Sequence, residues 1–167
     1  IKKPDFMLNV GSGSQSYQTG QIMELFEEVC IKINPDLIIV FGDINSTLAC
    51  SIVAKKMQIQ LAHVEAGLRS NDRNMPEEIN RLATDAISDY FFVTEDSGEK
   101  NLIIEGKDKG KIFHVGNLMI DSLHYGLNKI KKKEKNNENY GLITLHRPSN
   151  VDDNSKLQEI IHDLSII

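Results

Sequence analysis

Three carboxylates stand where this chain could do chemistry: Asp43 in Phe41-Gly42-Asp43-Ile44-Asn45-Ser46-Thr47, Glu65 in His63-Val64-Glu65-Ala66-Gly67-Leu68-Arg69, and Glu77 in Met75-Pro76-Glu77-Glu78-Ile79-Asn80-Arg81. The first two directly follow apolar runs, Leu37-Ile38-Ile39-Val40-Phe41 and Ile59-Gln60-Leu61-Ala62-His63-Val64. Such runs read as strands of a parallel sheet, which sets Asp43 and Glu65 at the strands' carboxyl ends, where open α/β sheets bind ligands. Carboxylates gathered there could carry protons or stabilise a developing cation.

Each acid also has a plain structural reading. Asp43 could cap a helix or close a turn. Glu65, emerging from an apolar strand, would need a partner such as Arg69 or Arg81 and could form a structural ion pair. Glu77 and Glu78 suit the first turn of a helix, where negative charge complements the helix dipole. His63 reads as a satisfied core histidine and is given no role. His146 follows an apolar run and adjoins Arg147, a pairing suited to an anionic group. No Walker loop, Gly-x-Gly-x-x-Gly fingerprint, nucleophile elbow or metal-binding Cys/His cluster is present.

The elements that must hold these residues follow from periodicity. Gly11 to Ser16 is polar and glycine-rich and predicts a loop. Ile22, Leu25, Phe26, Val29, Cys30 and Ile33 form one helical stripe, ended by Pro35-Asp36. After the strand 37–41, Ser46 or Thr47 is expected to cap a helix through about Met57, and a strand 59–64 follows. A helix opens near Pro76. Then come a strand at 90–94, a helix at 97–105, a strand at 111–115 and a helix at about 118–127. This alternation predicts an α/β domain, a Rossmann-like doubly wound parallel sheet, over residues 1–128. Residues 129–139, charged and nearly without apolar side chains, read as a linker. Residues 140–167 read as the start of a second Rossmann-like domain, with a strand at 141–145, a loop at 146–150 and a helix from Asn154.

Composition narrows the partners. A net charge of −5 and a pI near 5.5 give no general attraction to nucleic acid or an anionic membrane. No apolar run approaches the roughly 20 residues of a membrane span, and no signal peptide is visible, so a cytoplasmic location is expected. Cys30 and Cys50 fall within helical patterns without metal-ligand spacing and read as reduced core thiols.

Five motifs, in order, carry a family resemblance: Gly42-Asp43 with Ser46-Thr47; His63 to Arg69; Pro76-Glu77-Glu78 with Asn80-Arg81; Gly116-Asn117 with Asp121; and Thr144-Leu145-His146-Arg147. Together they resemble the UDP-N-acetylglucosamine 2-epimerase family over essentially the whole chain. The resemblance implies a two-domain GT-B-like architecture with a UDP-sugar in the cleft, and interconversion of UDP-N-acetylglucosamine and UDP-N-acetylmannosamine. It makes Asp43, Glu65 and Glu77 the catalytic acids and sets His146 near the nucleotide phosphates, with Arg147, Arg69 and Asn117 also contacting substrate. It implies no metal or organic cofactor, a homodimer in full-length form, and a place in cell-surface polysaccharide biosynthesis. A hydrolysing 2-epimerase releasing N-acetylmannosamine and UDP, a glycosyltransferase of similar fold and a noncatalytic nucleotide-sugar-binding module stay open. The segment Arg147-Pro148-Ser149-Asn150 departs from the Arg-Arg-Glu-Asn form common among bacterial epimerases, which leaves regulation by substrate open. The family's first strand with its basic loop, and the later part of its second domain, are expected to lie outside residues 1–167, so the piece alone is expected to be inactive.

Overall fold

The computed structural model describes residues 2–130, 141–145 and 148–166. The chain divides into two compact units, Ile1–Leu127 and Asn128–Ile167.

Helix α1 (Gln15–Ile33) starts earlier than its apolar stripe, because Ser14 turns its Oγ to accept from Tyr17 N at 3.2 Å. It closes on Asn34, which takes the left-handed conformation (φ 49°) and returns its N–H to Cys30 O at 2.8 Å. Strand β1 (Leu37–Phe41) follows, then α2 (Asn45–Lys56), β2 (Gln60–Val64), α3 (Pro76–Ile87), β3 (Tyr90–Val93), α4 (Asp96–Ile104), a 3₁₀ turn (Lys109–Lys111), β4 (Ile112–His114) and α5 (Leu118–Lys129). For these four strands the expected and observed bounds agree to within one residue at each end. The cap expected at α2 does not form: Ile44 occupies that position, and the Thr47 hydroxyl donates back to Phe41 O at 2.6 Å.

All four strands run parallel in the order β1-β2-β3-β4. Residues in register share a face, so Ile38 and Val40 lie with Leu61, His63, Phe91 and Val93, all buried. Cys30, Val53 and Ala54 from α1 and α2 complete one apolar cluster with Ile38, Val40 and Leu61; Ala66 and Leu102 join Phe91 and Val93 in another. Fully burying a side chain the size of Leu61 contributes about 1.5–3 kcal/mol. The opposite face presents Leu37, Ile39 and Phe41 at 42%, 49% and 56% exposure, with Phe113 beside Phe92. Parallel sheets normally have both faces covered; on this face Ala62, in register with Ile39, is 1% exposed, so the exposure of Leu37, Ile39 and Phe41 lies along β1.

The second unit contains α6 (Pro148–Val151) and α7 (Asn154–Ser165), the latter capped by Asp153, whose carboxylate accepts from Ser155 N and Lys156 N. Two expectations are corrected here. Residues 141–145 form no strand, since a strand needs a paired neighbour and none is present among the described residues. The loop expected over 146–150 is helical from Pro148, where proline suits a first turn. His146, Arg147 and most of the linker lie outside the described residues.

Candidate functional site

The turns after β1 and β2 bring the first two acids to one sheet edge. Gly42 takes φ 66°, accessible to glycine at no steric cost, and its N–H donates to Val64 O at 3.0 Å. The next turn is tied in the same way to the next strand, since Glu65 N and Ala66 N both donate to Phe92 O, at 3.1 and 3.2 Å. Glu65 itself has φ 71°, a strained conformation for a side-chain-bearing residue and one that clusters at functional sites. The strain aims its carboxylate back across the edge: Oε2 lies 3.5 Å from where a Cβ on Gly42 would be.

Helix α3 supplies the third acid and fixes the first. Asn80 Nδ2 donates to Asp43 O at 2.9 Å and to Asn45 Oδ1 at 3.3 Å. Arg81 bridges two acids, donating from Nη2 to Asp43 and from Nη1 to Glu78 Oε2 at 2.5 Å. Glu77, one helical turn before Asn80, is exposed, and it lines a cleft of about 310 Å³ with Gln15, Gln18, Asn45, Ser46 and Asn80. Among the described residues neither Glu65 nor Glu77 has a side-chain hydrogen bond or ion pair, which leaves both carboxylates available.

Adjacent glutamates therefore have opposite roles. Glu78 is 1% exposed and accepts from Ser70 N and Asn71 N at 3.0 Å as well as from Arg81. Burial by itself raises its carboxyl pKa, but the donors from Ser70, Asn71 and Arg81 outweigh that and hold it below the ordinary value. Glu78 is the structural acid and Glu77 the free one.

The two arginines do not pair with Glu65 as anticipated. Arg81 goes to Asp43 and Glu78. Arg69, expected to meet substrate, is 6% exposed, and all three of its nitrogens donate within the protein. Nε and Nη2 grip Glu105 at 2.8 and 2.6 Å, while Nη1 reaches Asp85 Oδ2 at 2.7 Å and Leu68 O at 2.6 Å. It is a brace between turn and helices, because its guanidinium is already engaged. Asn117 stands after β4 and uses its Oδ1 to accept from Met119 N at 2.8 Å, capping the start of α5.

His63 is fully buried and satisfied as expected, with Nδ1 2.6 Å from Asp85 Oδ1 and Nε2 2.8 Å from Gly42 O. Its partner Asp85 escaped sequence reasoning. One signal was available: the buried positions of α3 are Glu78, Asn80, Thr84 and Asp85, polar where an inward helix face is normally apolar. Among the described residues no group of three or more His, Cys, Asp and Glu side chains could hold a metal ion, and no helix is long and apolar enough to cross a membrane.

A single parallel sheet with carboxylates at its carboxyl edge defines an α/β protein of Rossmann-like type. Comparison with known proteins makes this specific. The family described as UDP-N-acetylglucosamine 2-epimerase matches residues 1–167. The chain is 44% identical over 174 residues to the UDP-N-acetylglucosamine 2-epimerase of Methanocaldococcus jannaschii, covering 98% of this chain and 47% of that protein. It is 38% identical over 171 residues to the UDP-2,3-diacetamido-2,3-dideoxy-D-glucuronate 2-epimerase of Pseudomonas aeruginosa, covering 100% of this chain and 48% of that protein. The crystal structure of the M. jannaschii enzyme in complex with UDP-GlcNAc and UDP aligns over 98% of this chain and 47% of that one, with a TM-score of 0.85 and 42% identity. The chain belongs to the UDP-N-acetylglucosamine 2-epimerase family, whose structures are GT-B-like. It spans about half the length of the curated relatives it matches.

Proposed function

We propose that the intact protein bearing this chain interconverts UDP-N-acetylglucosamine and UDP-N-acetylmannosamine, with Asp43, Glu65 and Glu77 as the working acids. The observation carrying this reading is that Asp43 and Glu65 leave adjacent parallel strands at one edge, while α3, the helix that carries Glu77, holds Asp43 through Asn80 and Arg81.

The chemistry needs this kind of edge. No carbonyl acidifies the C2 proton, so departure of UDP with its C1–O electrons, leaving an oxocarbenium-like sugar, helps a base take that proton. Loss of UDP and the proton gives a 2-acetamidoglucal. UDP then re-adds at C1 while a proton is delivered to the other face of C2. Proton transfer on two faces calls for two positioned groups, and a further carboxylate can stabilise the cation. Asp43 and Glu77 take the proton transfers in this reading and Glu65 the electrostatic part. His146 and Arg147 are proposed for the nucleotide phosphates on the family resemblance. Asn117 is proposed to contact substrate on the same ground.

A 2,3-diacetamido glucuronate sugar is a second reading, favoured by the identity to the Pseudomonas relative across the whole chain. Proton NMR of the intact protein with each UDP-sugar in D₂O tests both. Deuterium at C2 with UDP still attached, on the N-acetylglucosamine substrate, supports the first reading. Exchange only on the diacetamido sugar supports the second, free N-acetylmannosamine marks a hydrolase, and binding without exchange marks a noncatalytic module.

A further inference from the structure

Asp43 and Glu65 stand on two separate turns, and one buried carboxylate that touches neither of them is tied to both turns. Asp85 on α3 is 0% exposed. Its Oδ2 accepts from Gly67 N at 3.0 Å, two residues beyond Glu65, and from Arg69 Nη1 at 2.7 Å. Its Oδ1 lies 2.6 Å from His63 Nδ1, and His63 Nε2 donates to the carbonyl of Gly42, the residue before Asp43, at 2.8 Å. Gly42 and Gly67 both have positive φ, 66° and 78°, so these contacts fasten the turns at their conformationally freest points.

We propose that Asp85, acting partly through His63, is a positioning residue that sets the Asp43 turn and the Glu65 turn relative to each other. The kinetic part of this rests on the epimerase reading above; the geometric part does not. The Gly42 carbonyl can only accept, so Nε2 of His63 donates to it, and the ring, held by Asp85 at Nδ1, is a rigid spacer between α3 and the β1 turn. Such a network is a poor device for stability alone, since burying charge costs more than packing apolar groups of the same size. Its product is geometric: α3, which carries Glu77, is keyed to both turns from one carboxylate. A displacement near 1 Å in such an arrangement costs on the order of 10²-fold in rate.

The test uses the intact protein with Asp85→Asn, His63→Gln, His63→Leu and, as a control, Asp89→Asn. Asp89 accepts from Leu61 N and Lys55 at the opposite end of β2, so its loss perturbs the same strand away from the turns. Two measurements are made: ¹³C shifts of the Asp43 and Glu65 side-chain carboxyls, and kcat and KM for C2 exchange. Expected for Asp85→Asn are movement of both carboxyl signals and a fall in kcat of about 10–100-fold with KM changed by less than about threefold. His63→Gln keeps a donor within reach of Gly42 O and is expected to disturb the Asp43 signal less than His63→Leu; Asp89→Asn is expected to leave both signals in place. Unmoved carboxyl signals with unchanged kcat in folded Asp85→Asn overturn the proposal, as does an equal response to Asp89→Asn. Should Asp85→Asn not fold, the His63 pair decides, and equal effects of Gln and Leu overturn it. Absence of C2 exchange in the wild-type protein defeats the epimerase reading instead, and the carboxyl shifts still decide this proposal.

Discussion

Gly67 and Gly98 meet backbone to backbone: a Cβ on Gly67 would stand 2.2 Å from the Gly98 carbonyl oxygen, and one on Gly98 would stand 2.9 Å from Ala66 O. The Glu65 turn is thereby pressed onto the first turn of α4, with Asn101 Nδ2 donating to Gly67 O at 2.9 Å to complete the seam. Gly67 also has φ 78°, so an alanine there meets strain and collision together. Gly67→Ala is expected to lower stability by at least about 2 kcal/mol, and Gly98→Ala by less. Urea unfolding of the two variants checks the order, and equal midpoints with wild type would show that the seam yields freely.

The neighbours Glu77 and Glu78 are expected to separate activity from stability. In the intact protein Asp43→Asn, Glu65→Gln and Glu77→Gln should each lower turnover by at least about 10²-fold, the lower range for a positioned acid or base. Glu77→Gln should leave the unfolding midpoint near wild type, because its carboxylate has no partner to lose among the described residues. Glu78→Gln should instead cost about 1.5–3 kcal/mol of stability, the range for hydrogen bonds to a charged group. Parallel turnover and thermal unfolding measurements on the two variants decide this, and a reversed pattern would exchange their roles.

Acid is expected to loosen the α3 side of the sheet in a defined direction. Burial raises the Asp85 carboxyl, but His63 and Arg69 outweigh it and leave the folded pKa below the ordinary value; Glu78 is lowered in the same sense. Both contributions are fully present above the unfolded values, about 3.9 for Asp and 4.3 for Glu, and are lost as pH falls through the folded ones. Stability should therefore drop below about pH 4. Asp85→Asn should flatten that acid limb, and an equally steep limb in the variant would place its source elsewhere.

Both thiols are expected to resist alkylation. Burial, with the nearby Cys30, pushes Cys50 up to about 11, and burial with the charge of Glu27 raises Cys30. Since the thiolate is the reacting form, iodoacetamide at pH 8 should label the folded chain far more slowly than the urea-unfolded chain. Equal rates, followed by mass spectrometry, would contradict the packing of α1 against α2.

Much of the frame can be read from the sequence because its signals are local. β1 and β2 are short apolar runs closed by Gly42-Asp43 and Glu65, and α3 begins at a proline followed by two glutamates. Where expectation failed, the deciding contact lay outside the pattern of the element itself or was absent. Thr47 is a good capping residue by type, yet its hydroxyl is drawn to Phe41 O. Residues 141–145 have the apolar character of a strand, but character does not supply a neighbour to pair with. In the candidate site, the edge position of Asp43 and Glu65 could be read from the apolar runs before them, and Arg81 could be read as a partner by its charge. Which arginine joins which acid could not, since several pairings satisfy the same charge balance. Asp85 was hidden because an aspartate in a helix is ordinary until its turn is known to face inward.

The sequential strand order has a kinetic consequence. Leu37 pairs with Gln60, Ala62 with Tyr90 and Phe91 with Ile112, so each new strand closes a loop of only about two dozen residues. Among the described strands the sheet can grow in the direction of synthesis, each strand pairing with the one before it. The turn bearing Asp43 receives its Val64 bond when β2 docks, and the turn bearing Glu65 receives its Phe92 bonds when β3 docks. On a ribosome the two acids would be set one after the other, each by the strand that emerges next.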